Sequence, residues 1–436
     1  MKLKLKVLSM FFFSVLINNV FAQEIKELNA AQVAELAVEN HQELKVSEKN
    51  IEAAKQQIQV TKLEKLPNIE VSTKQFYLGN ALLIDKDFSS SESIELPHYG
   101  ASYALEASQL LFKGGLVNKS IELAGIKEQL AELDLENDQQ AVKFLVISNY
   151  LDIYKLINQE KVFQNNKALA VQRLKNIKKF YDQGMITRNE VIRAELAIKS
   201  LDQGILTLNN NKKILNYNLD LAIGFPENVE IKPTENLAVD EKGIDKDYYI
   251  NLSHTSHPLV KTARANNELA NKNLEIINTE KSPTIAAFGG YSSQKPIMNT
   301  MPVINSYLNG WQVGLSLSYS LDNLYKAKKK EQVGEIAISK ANEVEKMTLQ
   351  NIDMAVNAAY VKYQEAIDQA EIMKESQKLA DENYKITEAK YLNQLAVQTE
   401  MIDAQNQKLQ AELDYANAEI TVLYQYYNLL KSTGTL

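Results

Sequence analysis

The stretch that decides the fold is Trp311–Ser320, WQVGLSLSYS, in which apolar and small polar residues alternate. Successive side chains of a β-strand point to opposite sides, so this stretch has one wholly apolar face. The members of that face are Trp311, Val313, Leu315, Leu317 and Tyr319. An apolar face with an aromatic residue at each end, backed by a small polar face, is the pattern of a strand between lipid and water. A half-buried strand of a soluble sheet gives a similar pattern, so this stretch alone leaves both interpretations open.

Two further segments alternate in the same way, another strand is expected after Pro283, and four strands are too few to close a barrel. The predicted strands lie at about 68–78, 99–110, 284–292 and 311–320. Tyr103, in the second of them, joins Trp311 and Tyr319 as a predicted aromatic residue of the membrane interface. A closed sheet needs about eight strands, and an open edge is not tolerated in lipid. We therefore expect a barrel shared between subunits; about twelve strands would come from three chains.

The order of elements occurs twice along the chain, first at an offset of 216 positions and further on at 210. The matched pairs include His41 and His257, Pro67 and Pro283, Tyr150 and Tyr360, Tyr181 and Tyr391, and Gly224 and Gly434. We interpret this as a tandem duplication with repeats at 23–235 and 236–436. Each repeat is expected to contain a helix, a strand pair, a long helix, a turn and a return helix.

Long uninterrupted helices are expected, because 436 residues contain only 15 glycines and 8 prolines. The first is predicted over Asn29–Leu66 and ends at Pro67, which disfavours helix in the residue before it. The segment 115–182 contains no proline and would reach about 100 Å if it formed one helix. Beyond it, and again after residue 400, apolar residues recur at spacings of three and four, which is typical of a coiled coil. Their first and last members are Val191 and Ala222, then Met401 and Leu429.

The N-terminus predicts export. Three lysines precede an apolar run at Val7–Ile17, and small residues follow, so residues 1–22 are predicted to be a signal peptide. No later segment approaches the roughly 18 consecutive apolar residues of a spanning helix, so any membrane-spanning part must be made of β-strands. The net charge of −7 argues against a nucleic-acid partner, and the absence of cysteine excludes disulfides.

The two predicted helix-to-helix turns carry the most specific resemblance to a known family. Phe180–Met185 (FYDQGM) and Lys390–Leu395 (KYLNQL) resemble the corresponding segments of the TolC family of outer-membrane efflux and secretion channels. The resemblance covers essentially the whole mature chain. It implies a mainly α fold with a trimeric 12-stranded outer-membrane β-barrel continued by a long periplasmic α-helical coiled-coil barrel. The turns, at 182–187 and 392–397, would form the tip of that barrel.

The resemblance also implies the function and the partners. The chain would be a subunit of a passive exit duct in the cell outer membrane, with its helices in the periplasm. The duct would serve a tripartite efflux or type I secretion system, coupled to an inner-membrane pump through a periplasmic adaptor protein. The adaptor would dock on a Val-Gly-Leu-like motif, which corresponds to Gln183, Gly184 and Met185 in the first turn and to Gln394 and Leu395 in the second. Gln394 departs from the family pattern because it replaces the glycine.

Four residues are assigned to a periplasmic gate by the resemblance alone. Glu400 and Asp403 match two acidic positions of the family, and Tyr391 and Glu190 match a tyrosine–acid contact that holds the tip closed. The arginine that joins this contact in the best-known members is replaced by Ala396, so we expect a weaker or differently built clasp. A solvated acidic helix face is the alternative interpretation of Glu400 and Asp403.

No catalytic constellation stands out, so we expect no enzyme and no cofactor. His254 and His257 have the spacing of metal ligands, but no third ligand is near in sequence, and we expect no metal site. The main alternative to a channel is a secreted, soluble coiled-coil protein with a structural or interaction role. A periplasmic enzyme ranks last. The predicted strands distinguish a channel from a soluble protein, since only a channel exposes their apolar face to lipid.

Overall fold

Long helices dominate the protein, which we describe from a computed structural model for residues 24–226, 229–235, 245–300 and 302–436. The predicted signal peptide lies outside these residues. The first half contains β1 (Glu24–Leu28), α1 (Ala30–Asn40), α2 (Gln42–Leu63), β2 (Asn68–Tyr77), β3 (Ala81–Ile84), β4 (Ser91–Ile94), β5 (Tyr99–Phe112), α3 (Leu116–Asp182) and α4 (Arg188–Ile223). The second half contains β6 (Val229–Pro233), α5 (Lys246–Ser256), α6 (Pro258–Thr279), β7 (Thr284–Lys295), β8 (Leu308–Ser318), α7 (Asn323–Leu392) and α8 (Gln398–Thr433). The second half repeats the order of the first, as the matched positions predict, except that β3 and β4 have no counterpart among the described residues and that it begins at β6, before the predicted boundary at 236.

The chain forms two compact units, each built from several segments. Unit 1 contains the residues through His41, Val142–Lys242 and Tyr363–Tyr427, and unit 2 contains Gln42–Ala141, Gly243–Lys362 and Asn428–Leu436. Unit 1 holds the parallel pair β1–β6, which the sequence did not predict. Unit 2 holds an antiparallel sheet of order β2-β5-β7-β8 and the short hairpin β3–β4. Within the described helices, no segment is both apolar and long enough to cross a membrane.

The sheet of unit 2 has one apolar face and one polar face. Val71, Leu105, Tyr291 and Trp311 are partners in one row across its four strands. The next row, whose side chains point to the other face, is Glu70, Glu106, Gly290 and Gln312. Both follow from the two-residue period of a strand. The alternation read from the sequence therefore holds across all four strands.

No residue that the structure describes covers the apolar face of this sheet. Four side chains of β8 on this face are 72 to 76% exposed: Trp311, Val313, Leu315 and Leu317. Soluble proteins rarely leave such a contiguous apolar surface in contact with water.

The prediction of one continuous helix over Asn29–Leu66 is wrong. His41 adopts an extended conformation (φ −64°, ψ 129°), so the expected helix over Asn29–Leu66 is divided into α1 and α2 and ends at Leu63. His257 has nearly the same dihedral angles (φ −66°, ψ 124°) between α5 and α6. No glycine or proline marks the break at His41. In each half, the glycine that follows the last helix packs against this break between the first two helices. The packing is too close for a side chain: a Cβ atom on Gly224 would lie 2.8 Å from Asn40 Cβ, and one on Gly434 would lie 2.5 Å from His257 Cα.

The predicted coiled-coil positions of α4 and α8 face the packed side of these helices. Val191, Leu201 and Leu219 are at most 5% exposed, and Met401 and Ala404 at most 2%. Two lysines interrupt the apolar series, and both are ion-paired. Lys212 lies 3.2 Å from Glu160, and Lys408 lies 2.5 Å from Asp381.

Candidate functional site

The two turns that join α3 to α4 and α7 to α8 are built in the same way. In the first, the Gly184 N–H donates to the Tyr181 carbonyl (2.8 Å) and the Met185 N–H to the Phe180 carbonyl (2.9 Å). In the second, the Gln394 N–H donates to the Tyr391 carbonyl (3.0 Å) and the Leu395 N–H to the Lys390 carbonyl (2.8 Å). This pair of bonds is the Schellman motif, which ends a helix through one left-handed residue.

The left-handed residue is Gly184 in the first turn (φ 74°) and Gln394 in the second (φ 62°). Glycine adopts this conformation without strain, whereas another residue pays about 1 kcal/mol. The departure from glycine therefore leaves the backbone of the second turn unchanged. The turns are neighbours, since Gln394 Nε2 lies 4.0 Å from Met185 Sδ.

All five residues assigned to adaptor docking are exposed. Met185 is 48% and Leu395 77% exposed. Sequence reasoning missed three further exposed apolar side chains in or next to the turns: Tyr181, Leu392 and Val397. Together these side chains give the tip an apolar surface that no described residue covers.

Behind the turns lies a small apolar core that packs the two hairpins together. Its buried members are Ile177, Val191, Tyr384, Tyr391 and Met401. They come from α3, α4, α7 and α8, so all four helices meet here. Ala396 packs at the edge of this core.

The predicted pair Tyr391 and Glu190 is brought together, but without a direct hydrogen bond in the structure. Burial raises the pKa of Tyr391, and the nearby Glu190 carboxylate raises it further, against a smaller opposing effect of Arg173. The Tyr391 hydroxyl has no partner among the described residues. The hairpins are joined instead by Gln398, whose Nε2 donates to the Glu190 carbonyl at 2.7 Å.

Arg173 of α3 supplies a guanidinium that sequence reasoning did not find. Its Nη2 donates to the Tyr384 hydroxyl at 2.8 Å, and its Nη1 donates to Gln405 Oε1. Tyr384 in turn donates to Glu388 at 2.9 Å. Lys408 Nζ lies 4.8 Å from the centre of the Tyr384 ring. A signal was available: three of the chain's four arginines lie between positions 173 and 193.

Glu400 and Asp403 are exposed on the first turns of α8. The Glu400 carboxylate accepts from the Val397 N–H at 3.3 Å, the backward half of a capping box. Asp403 accepts from Gln407 Nε2 at 2.8 Å. Neither carboxylate has a lysine or arginine partner in the described part of the chain. Glu400 therefore stabilises its own helix, and Asp403 bonds to a side chain of the same helix.

The predicted interface aromatics lie near the ends of the sheet. Trp311 is three residues into β8 and 76% exposed, and Tyr319, one residue past its end, is 42% exposed. Tyr103 is 40% exposed and lies 6.5 Å, ring centre to ring centre, from Tyr307. Lys295 Nζ lies 5.5 Å from the centre of the Tyr307 ring, so more aromatic and basic side chains gather there than sequence reasoning named.

The two spaced histidines have other partners. His254 Nε2 lies 2.6 Å from Asp353 Oδ1. His257 Nδ1 accepts from the Leu259 N–H at 3.2 Å and so caps α6. Among the residues that the structure describes, no three His, Cys, Asp or Glu side chains are grouped to hold a metal ion.

Comparison with known proteins points to one family. Residues 33–225 and 249–435 match the profile of the family described as outer membrane efflux protein, once in each half. No curated protein sequence is significantly similar to the chain.

Solved outer-membrane channels share its fold. CusC superposes with a TM-score of 0.74 at 14% identity, over 97% of this chain and 95% of CusC. The Campylobacter jejuni CmeC channel gives 0.72 at 15% identity, over 93% and 86%. VceC from Vibrio cholerae gives 0.71 at 12% identity, over 93% and 96%.

Proposed function

Because this chain belongs to the outer membrane efflux protein family, we propose that it is one subunit of a homotrimeric outer-membrane channel that serves as a passive exit duct. The observation that carries the trimer is the sheet of unit 2. Its exposed apolar face suits lipid, and its outer strands β2 and β8 each have one edge without a partner among the described residues. Unpaired backbone groups are not tolerated in lipid, so β8 of one subunit would pair with β2 of the next. Three copies of a four-stranded sheet give the twelve-stranded barrel that the sequence predicted.

The surface of α7 supports self-association. Six of its exposed apolar residues fall into two runs with a spacing of seven: Met347, Met354 and Val361, then Ile372, Leu379 and Ile386. A seven-residue spacing is the repeat of a left-handed coiled coil, whose apolar positions face a partner helix. Each of these side chains is at least 50% exposed in the single chain, so a second copy would cover them.

The lipid-facing assignment is tested on neighbouring residues of β8. Leu315→Arg would place a charge on the apolar face, which costs about 2–4 kcal/mol in the middle of a bilayer. Ser316→Arg, the matched control, would place it on the polar face. We expect L315R to be lost from outer membranes and S316R to assemble and change the conductance measured in planar bilayers. Equal assembly of both variants, or a wild-type protein that is a monomer without detergent, would refute the channel.

The tip is proposed to dock a periplasmic adaptor, which connects the duct to an inner-membrane pump. Exposed apolar side chains at the turns support this, since such side chains form the centres of protein interfaces. Met185→Ser and Leu395→Ser should leave trimer assembly and conductance unchanged but abolish efflux in cells that depend on this protein. Unchanged efflux in the double variant would remove the docking proposal.

Glu400 and Asp403 are proposed to form acidic rings near the threefold axis, where three copies of each would attract cations. The support is their exposure and their lack of a basic partner in the described chain. Replacement of both by Ala should weaken block of the channel by divalent cations. If block is unchanged, these residues belong to an ordinary solvated helix face.

A further inference from the structure

A very small cavity, mostly apolar but with four polar side chains in its lining, lies beside the core of the hairpin tip. Its volume is about 10 Å³, and it is lined by residues of α3, α4, α7 and α8, among them Arg173, Tyr391, Gln398 and Gln405. A site of about 10–15 Å³ holds one water molecule. The remaining lining is mostly apolar, so nothing larger than a water fits.

Three of the lining side chains each have a buried polar atom without a hydrogen-bond partner in the described structure. These atoms are Arg173 Nε, the Tyr391 hydroxyl and Gln398 Oε1. Tyr391 is 7% and Gln398 8% exposed. A buried group left unpaired costs about 1–3 kcal/mol, so three in one place call for a common partner.

The chemistry of the three atoms identifies that partner. Arg173 Nε–H donates only, the Tyr391 hydroxyl can donate, and Gln398 Oε1 accepts. The orientation of the Gln398 amide is fixed, because its Nε2 donates to the Glu190 carbonyl at 2.7 Å. A bound cation would be repelled by the guanidinium, and an anion by the amide oxygen. A water molecule accepts two hydrogen bonds and donates one or two, which satisfies all three atoms.

We propose that one buried water molecule occupies this cavity and joins the two hairpins of the tip through Arg173 of α3, Tyr391 of α7 and Gln398 of α8. Through Gln398 it also acts on α4, whose Glu190 carbonyl the same side chain holds. The clasp expected from Tyr391 and Glu190 is thus replaced by a hydrated one, with the guanidinium supplied by position 173 instead of 396. This inference concerns the structure of the tip and does not depend on channel activity.

The direct test is a structure of the detergent-purified, full-length protein at a resolution better than about 2 Å, where ordered waters are visible. We expect one water peak within hydrogen-bond distance of Arg173 Nε, the Tyr391 hydroxyl and Gln398 Oε1. An empty cavity, an ion, or the Glu190 carboxylate bonded directly to the Tyr391 hydroxyl would overturn the proposal.

Hydrogen exchange of the tip amides tests the same site in solution. Tyr391→Phe should speed exchange about fivefold, as expected for one lost hydrogen bond, and Gln398→Leu should speed it more, because it also removes the bond to the Glu190 carbonyl. Since both act through one water, the double variant should exchange more slowly than the product of the two effects. Tyr415→Phe, which removes a hydroxyl bonded to Glu419 elsewhere on α8, gives the background.

The variant Glu190→Gln distinguishes a bridging water from a direct hydrogen bond between the Glu190 carboxylate and the Tyr391 hydroxyl. With the water in place, this variant should stay within about twofold of wild type, because its backbone carbonyl is retained. If it instead reproduces the effect of Tyr391→Phe, or if the two single effects simply multiply, the bridging water is refuted.

Discussion

The two halves of the chain place different residues at equivalent positions of one fold. Positions 184 and 394 hold glycine and glutamine in the same left-handed conformation. Positions 173 and 383 hold a half-buried arginine and an exposed asparagine, and positions 220 and 430 hold a fully buried aspartate and a leucine. The fold tolerates these exchanges because main-chain hydrogen bonds determine the path of the backbone. The side chains that differ are those with which each half can acquire a separate role.

The largest expected effect concerns Asp220, which is 0% exposed. Asn216 Nδ2 donates to its Oδ2 at 2.9 Å, while its Oδ1 has no partner in the described chain. Burial raises the pKa of this carboxyl from 3.8 to about 7. The folded state therefore binds this proton more tightly than the unfolded state, so the contribution of Asp220 to the free energy of unfolding is highest below about pH 4 and falls as the pH rises to about 7.

Asp220→Asn should remove this loss, for which the upper limit is about 4 kcal/mol between pH 4 and pH 8. Thermal unfolding at pH 5 and pH 8 measures it: the wild type should lose stability with pH, and the variant should lose much less. Asp182→Asn, at an exposed position, should behave as the wild type does. An equal decline in D220N would show that Asp220 is not the titrating group.

A smaller effect is expected at Arg173. Arg173→Met leaves the Tyr384 hydroxyl and Gln405 Oε1 without their donor, which should cost about 2 kcal/mol at the tip. Asn383→Met is the matched change in the other half; its side chain is exposed and makes one long hydrogen bond to Gln407, so less than about 0.5 kcal/mol is expected. Hydrogen-exchange rates of the tip amides should be measured for both variants and compared. Similar rates would mean that Arg173 does not join the hairpins.

Arg173 also marks the limit of prediction from this sequence. Period-two alternation, a local signal, located three strands of the sheet, and Pro283 marked the fourth. The matched positions of the two repeats located both turns. The partners of Arg173 lie 211 and 232 positions away, and β1 pairs with a strand of the other half, so no local pattern could reveal them. The break at His41 was missed because neither glycine nor proline marks it. The turn at Gln394 was predicted as a departure from the family, yet main-chain bonds impose the same geometry.

Exchanging the residues of the two turns tests this last point. Gly184→Gln should destabilise the first turn by about 1 kcal/mol, because a Cβ atom is unfavourable at φ 74°. Gln394→Gly should remove that strain from the second turn, but glycine also gains freedom in the unfolded chain, so a net gain of less than about 1 kcal/mol is expected. Opposite signs in thermal unfolding would confirm that the turns share one backbone. Destabilisation by both changes would show that Gln394 is held by its side chain.

The smallest effect is expected at the two glutamates in the first turns of α4 and α8. The Glu400 carboxylate accepts from the Val397 N–H at 3.3 Å, whereas among the described residues the Glu190 carboxylate makes no such bond with the Thr187 N–H. Glu400→Gln should therefore cost about 0.5 kcal/mol, from a weaker cap and the loss of a charge at the positive end of the helix dipole. Glu190→Gln loses only the second contribution and should cost less. Hydrogen exchange of the amides at 397–401 and 187–191 measures the loss of stability in the two variants. A larger loss in Glu190→Gln than in Glu400→Gln would mean that the Glu190 carboxylate, rather than its carbonyl, bonds across the tip.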